Sequence, residues 1–482
     1  MNPAIEDFKK QVVPRLPDFF YDVGAAKYLV KQSDGGNARE WVKLSDMQMN
    51  RVLASCGVRT TKAKDEDMPP SARILCDATM NSERTVHYSG SLAGYHEGLH
   101  RMGGTRILVV DSPRIIKPSP GNWDTIKAVV EGLLGGNDGV QLPYFYGWLK
   151  LSVIALRQGE MRGAPALAFC GPKDCGKTFL QNYLITDCLG GRSAKPYLFM
   201  SGGTTFNADL FGAEHLCMGD EDPSTDLRSR RKFGAFLKLF VAEEIQQLHA
   251  KGVDARTARP FWRVTLSLND EPENVLVLPP IDKSLRDKLM LFDARPFSWP
   301  MPCTLPDEKA KFLQQFRSEL PAFIHWLIHD YKIDDALLDR RFTISCYRSP
   351  RIMSYLTEVS PEFRLAELIR LCFLVEPDGT KASPDKKSYL NADIIRSAVD
   401  LEHGLTSEDS PVRFEARNLL GGGKIATYLR RLHDLFPKHV FRLRTSKERL
   451  WCIRRIDAMI DSFNTDIGAA EDQMDDGAYG DL

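Results

Sequence analysis

Apolar and polar positions change rhythm several times along the chain, and each change predicts a different element. Residues 1 to about 120 read as mixed strand and helix. "KYLVKQSDGGNAREWVKLS" sets two strand-like runs around a glycine-rich turn and predicts a hairpin. "DMQMNRVLASCGV" predicts a capped helix ending at Gly57. "TKAKDEDMPPSAR" is a polar loop, and "RILVVDSPRIIKP" is another strand candidate. Over 123–158 the spacing is helical, in "WDTIKAVVEGLL" and "PYFYGWLKLSVIALRQG". From about 164 the period shortens. "APALAFC" suits a buried parallel strand, and "KTFLQNYLITDCLGG" suits a helix with a glycine pair as stop signal. "EHLCMGDED" and "FWRVTLSLNDEP" are two more apolar strands, each running into polar residues. From about 305 to 400 the pattern is mostly helical, interrupted by the polar loop "EPDGTKASPDKK". Near the end, "KIATYLRRLHDLF" has helical spacing, and "HVFRLR" and "RLWCIR" form a strand pair around "TSKE".

Five regions follow. They are an α+β N-terminal domain (1–122), an α/β core with preceding helices (123–304), a helical lid or linker (305–410), a basic module (411–460) and an acidic tail (461–482). The tail, with six acids and no basic residue from 463 onward, reads as disordered. The whole chain has 482 residues, with 64 Lys and Arg balancing 64 Asp and Glu, so only local charge bears on a nucleic-acid partner. No apolar stretch of about twenty residues predicts a membrane span, and the N-terminus lacks a signal-peptide core. Ten scattered cysteines without a C-x-x-C pair predict reduced, buried thiols of a cytoplasmic protein and no zinc site.

The chemistry begins at "CGPKDCGKT", where Gly171, Pro172, Lys173, Asp174, Cys175, Gly176, Lys177 and Thr178 match the phosphate-loop pattern. Such a loop wraps backbone N–H groups around phosphates. Its glycines permit close approach, and the following helix adds its N-terminal dipole. Lys177 is expected to reach the β- and γ-phosphates of ATP, and Thr178 to coordinate Mg²⁺. The strand ending "CMGDED" offers Asp220 to the metal and Glu221 to orient water; a register one residue on would make Glu221 and Asp222 the pair. Asn269, after the next strand, can hydrogen-bond the γ-phosphate or the attacking water without adding charge. Arg286 is the candidate arginine finger from a neighbouring subunit, against a surface ion pair with Asp282 or Asp287.

This order of loop, acidic strand, Asn strand and Arg, compressed between 171 and 286, resembles the superfamily 3 helicases. These are AAA+ ring motors of viruses, phages and plasmids, and the likeness is to the helicase part of primase-helicases, including the pox-virus-like group. The phrases that carry it are "GTTFNADLFGAEHLCMGDED", "RVTLSLNDEP" and "LRDKLMLF", with "HYSGSLAGYHEGLH" and "YFYGWLKL" upstream. It implies an AAA+ P-loop core, a hexameric ring on single-stranded and forked DNA, and 3′-to-5′ movement. It also implies a pore hairpin in "EEIQQLHAKGVDARTARPFWR", with His249 and Lys251 flanking a turn at Gly252. The N-terminal region has no paired-aspartate pattern of a primase, so priming would come from a separate protein.

Residues 424–455 hold ten Lys or Arg against Asp434 and Glu448. Helix followed by basic hairpin is similar to a winged-helix module, in which Arg442, Arg444, Lys447 and Arg449 would contact DNA phosphates. The other use of such a face is protein docking. The function expected is an ATP-dependent DNA helicase or translocase in the replication of a phage, plasmid or other mobile element. The alternative is a nucleotide-gated AAA+ oligomer that acts as a DNA-binding regulatory or defence assembly without unwinding.

Overall fold

The computed structural model describes residues 18–32, 40–60, 71–136, 138–219, 227–249, 256–271, 277–279, 285–358, 360–373, 393–421, 423–444 and 449–465. The expected hairpin is present: β1 (Phe19–Asp22), β2 (Lys27–Gln32) and β3 (Glu40–Leu44) are antiparallel neighbours. Tyr28, Val30 and Leu44 bury against Met49 and Leu53 of helix α1 (Asp46–Ser55) and Leu75 and Cys76 of helix α2 (Ala72–Met80). Ser45 and Gln48 cap α1 reciprocally, so its start is written locally. Strand β4 (Thr85–Val86) joins β1 in parallel and completes the sheet in the order β3-β2-β1-β4.

A second small sheet follows, with β5 (Tyr88–Gly90), β6 (Gly98–Met102) and β7 (Thr105–Val109) in the order β5-β7-β6. Ile107 and Val109 share one buried apolar cluster with the central strands described next. A buried carboxylate clips this region down: Glu214 accepts from the Gly94 N–H at 2.8 Å and from Arg192 Nε at 2.9 Å. Arg192 also reaches Asp111 at 2.8 Å.

Helices α3 (Asp124–Leu134) and α4 (Leu142–Gln158) lead into the central sheet. Its strands are β8 (Ala166–Cys170), β9 (Ser193–Ala194), β10 (His215–Met218), and β13 (Arg263–Leu268) and β14 (Leu289–Asp293) after the short antiparallel pair β11 (Gln246–Leu248) and β12 (Arg256–Ala258). All five are parallel, in the order β14-β8-β13-β10-β9. Every residue of β8, β10, β13 and β14 is buried, as expected where helices cover both faces. One face carries α3, α4 and the long helix α7 (Pro306–His325). The other carries helix α6 (Leu227–Ala242) and the second small sheet. Helix α5 follows β8 directly as one continuous helix of mixed pitch: α-helical at Lys177–Phe179, π-helical at Leu180–Ile185, α-helical again at Thr186–Cys188.

Helix α8 (Pro350–Glu358) returns to the sheet, and a separate core holds the C-terminal part. There, helix α9 (Pro361–Phe373), strand β15 (Ile394–Arg396), helices α10 (Ala398–Thr406), α11 (Arg413–Leu420) and α12 (Ile425–Leu435), and strands β16 (Val440–Arg444) and β17 (Arg449–Ile453) follow in turn. The strands form one antiparallel sheet, β15-β17-β16, and α13 (Ile456–Thr465) closes the region. The acidic tail beyond 465 lies outside the described residues.

Candidate functional site

The first strand of the central sheet, β8, lies between the fifth and the fourth, so the chain reverses direction across the sheet beside it. Crevices at the carboxyl ends of strands at such a point are where ligands bind in open α/β sheets. The glycine loop stands there. Gly171 donates its N–H to the Leu268 carbonyl at 3.1 Å, tying the loop to the end of β13. A Cβ on Gly171 would fall 2.0 Å from the Ala294 carbonyl oxygen, so only glycine fits. Gly176 at φ +109° and Asp174 at φ +61° turn the backbone into α5.

Lys177, the first residue of α5, is only 4% exposed, and its ammonium is held inside the loop. Nζ donates to the carbonyls of Gly171 and Pro172, each at 2.7 Å, and to Asn269 Oδ1 at 3.2 Å. Two residues 92 positions apart thus meet at one charge. Thr178, Lys173 and Asp174 face solvent at the mouth. Asp220 and Glu221, with Asp222, lie outside the described residues; β10 ends at Met218, beside Leu266 of β13.

A row of charges that the sequence reading did not find continues along the same rim. Arg351, in the first turn of α8, donates from Nε to Asp293 Oδ1 at 3.0 Å and from Nη1 to Asp270 Oδ2 at 3.2 Å. Arg295 Nε holds the other oxygen of Asp293 at 3.0 Å. Asp270 directly follows Asn269, and Asp293 ends β14, so Arg351 bridges the carboxyl ends of two strands that flank β8. Its signal in "RSPRIMSYL" is weak, since proline at a helix start followed by arginine is common on surfaces.

The fold has a counterpart among solved structures. The chain is similar to the C-terminal region of NrS-1 in its apo form, with a TM-score of 0.53 and 13% identity over 91% of this chain and 95% of that one. At that identity the likeness concerns the fold alone. SCCmec type IV Cch, described as an active helicase, overlays more loosely, at a TM-score of 0.38 and 10% identity over 92% and 94%, and does not bear on function. No family model matches the chain, and no curated protein matches its sequence.

Arg286 lies on the other side of the sheet from the glycine loop. Leu289 pairs with Ala166 and Asp293 with Cys170, so residues before Leu289 stand at the amino ends of the strands. Arg286 Nε is buried and makes no hydrogen bond among the described residues. Asp287, one of its two expected partners, pairs instead with Lys288 at 2.6 Å and Arg341 at 2.7 Å; Asp282 lies outside the described residues. Burial, with Arg286 as a like charge nearby, pushes the Arg348 guanidinium below its ordinary value.

β11 and β12 pair antiparallel from Gln246 opposite Ala258 to Leu248 opposite Arg256. Lys251 and Gly252, in the segment between them, lie outside the described residues. His249 is anchored: its N–H donates to Asn207 Oδ1 at 2.7 Å, and its ring packs 5.1 Å from that of Phe206. In the basic module, Arg442 opposes Trp451 and Arg444 opposes Arg449, so all three arginines share one face; Lys447 lies outside the described residues. Arg442 stacks on the Trp451 ring at 4.7 Å. No group of three or more His, Cys, Asp or Glu able to hold a metal occurs among the described residues, where no helix is long and apolar enough to cross a membrane.

Proposed function

We propose that the chain is an ATP-dependent DNA helicase or translocase with an AAA+ core of the superfamily 3 type, serving replication of a phage, plasmid or other mobile element. The observation that carries this reading is Lys177, whose ammonium is held by the loop carbonyls and Asn269 at the reversal point of a parallel sheet. Phosphate oxygens of ATP would take over that ammonium from the neutral carbonyls, since a charged acceptor binds it more strongly. Asn269, released from Lys177, would then orient the attacking water. In this reading Glu221 orients the attacking water, and Arg286 serves the nucleotide of the adjacent subunit. Arg351, already beside Asn269 through Asp270, is placed to sense the γ-phosphate. The exposed Thr178 hydroxyl and the Asp220 carboxylate are oxygen donors of the kind Mg²⁺ prefers. When bound, the ion would neutralise phosphate charge as it develops.

The helix order and hairpin of residues 361–453 support a winged-helix module whose basic face contacts DNA backbone. The deciding experiment measures ATP hydrolysis with and without single-stranded DNA, beside unwinding of a forked duplex. Strong stimulation and strand displacement are expected, with Lys251→Ala losing displacement while basal hydrolysis stays within about twofold. Neither stimulation nor displacement would favour the nucleotide-gated assembly instead.

A further inference from the structure

The π-helical turn of α5 brings two polar side chains, Gln181 and Thr186, into an otherwise apolar layer against β10 and β13. In regular α-helix the Gln181 carbonyl would accept from Ile185; here the Thr186 N–H reaches it, one residue further on. The Thr186 hydroxyl lies 3.0 Å from the same carbonyl. Gln181, Thr186, His215 and Thr265 are each at most 6% exposed, so their polar atoms must satisfy one another.

One arrangement of protons that does so starts at Gln181. The Met218 carbonyl can only accept, so the Gln181 atom facing it at 3.3 Å is the amide nitrogen. That nitrogen also donates to Thr265 Oγ1 at 2.8 Å. In this arrangement the Thr265 hydroxyl gives its proton to His215 Nε2, 2.8 Å away. Nε2 is then the bare nitrogen, and Nδ1 carries the proton and donates to Thr186 Oγ1 at 2.7 Å. Thr186 finally donates to the Gln181 carbonyl. The ring opens and closes on Gln181. Cys217 Sγ, 3.1 Å from His215 Nδ1, is a weak second acceptor. Burial keeps the imidazole neutral, its pKa lowered to about 3.

We propose that this closed ring positions the hydrolytic machinery, with Gln181 as the positioning residue that fixes the end of the acidic strand against the phosphate-loop helix. Each member leads to a different part of the site. Gln181 is four residues beyond Lys177. Thr265 is four residues before Asn269. His215 and the Met218 carbonyl belong to the strand that runs into Asp220. An apolar core of the same volume would pack these elements without setting their relative height. A satisfied polar ring admits one register, because any slip leaves buried donors unpaired. The inference rests on the chain being an ATPase.

The test is steady-state hydrolysis by the full chain at varied Mg²⁺, with nucleotide affinity measured separately using a non-hydrolysable ATP analogue. Gln181→Leu should lower kcat about tenfold or more and raise the Mg²⁺ concentration for half-maximal rate, with analogue affinity changed less than about threefold. Thr265→Val should lower kcat in the same direction, and Thr265→Ser, which keeps the hydroxyl, should restore it. Unchanged kcat per folded molecule in Gln181→Leu and Thr265→Val, with a lowered melting temperature, would make the ring purely structural and overturn the proposal. If Gln181→Leu does not fold, the Thr265 pair and nitrogen NMR of His215 decide. A neutral ring protonated at Nδ1 is required, and protonation at Nε2 would overturn the assignment. Wild-type protein that hydrolyses no ATP removes the ATPase reading and this inference together, whereas active wild type with unaffected variants removes the inference alone.

Discussion

Among the described residues, three neutral oxygens hold Lys177 within 3.2 Å, and this makes the nucleotide-binding step legible. An ammonium withdrawn from water and matched to neutral carbonyl and amide oxygens gains when phosphate oxygens arrive. Lys177→Ala is therefore expected to lose measurable nucleotide binding, whereas Glu221→Gln should bind ATP normally and hydrolyse it at least about a hundredfold more slowly, as fluorescent-nucleotide titration and phosphate release would show. Normal turnover in Glu221→Gln would move the water-positioning role to Asp222. His215 makes a separate prediction about stability. Burial lowers its folded-state pKa to about 3, against an ordinary value of about 6.5. The unfolded chain then binds a proton below pH 6.5 that the folded chain refuses. The stabilisation is complete above pH 6.5 and is lost as pH falls toward 3, at about 1.4 kcal/mol per pH unit. Denaturant unfolding between pH 6.5 and 5, a window above most carboxylates, should show this slope. His215→Asn should flatten it by one proton, whatever its effect on absolute stability.

At the scale of elements, the basic hairpin carries the next expectation. Arg442, Arg444 and Arg449 share one face of β16 and β17, and on the opposite face Phe441 pairs with Cys452 and Leu443 with Leu450. If the arginines contact phosphates, replacing all three with Ala should weaken DNA binding and reduce the salt slope of log affinity by about two to three, with little change in ATP affinity. An unchanged slope would assign the face to protein docking. The strand pair was legible in the sequence from its alternating apolar and basic residues, but its buried face was not: Val440, Trp451 and Ile453, on the same face as the arginines, are the ones in the C-terminal core. Also legible were β8 and β13, each an apolar run stopped by residues of distinctive chemistry, the first of them by the glycine loop. Other elements left no such mark. β9 is two residues, Ser193–Ala194, paired with its neighbour β10. The π-helical turn in α5 was hidden because side-chain spacing in "KTFLQNYLITDCLGG" is compatible with regular helix. Arg351 reaches Asp270 from 81 positions away, and a contact of that span has no local pattern.

On the scale of the whole molecule, the parallel register separates the two charges that hydrolysis is proposed to need. Lys177 stands at the carboxyl ends of the strands, and Arg286 precedes the amino end of β14. The five paired residues of β14 and β8 span about 16 Å at strand rise, well beyond the reach of one arginine side chain. If Arg286 serves a nucleotide, one subunit would not complete its own site with it. Lys177→Ala and Arg286→Ala proteins, each inactive alone, should complement when mixed. In a randomly mixed ring about one interface in four joins an intact loop to an intact arginine, so hydrolysis should recover toward that fraction of wild type. An arginine acting within its own subunit predicts no recovery at any mixing ratio, because no chain in the mixture carries both groups. Complementation that disappears on dilution would further tie the activity to assembly, since dissociation parts the loop from its neighbour's Arg286.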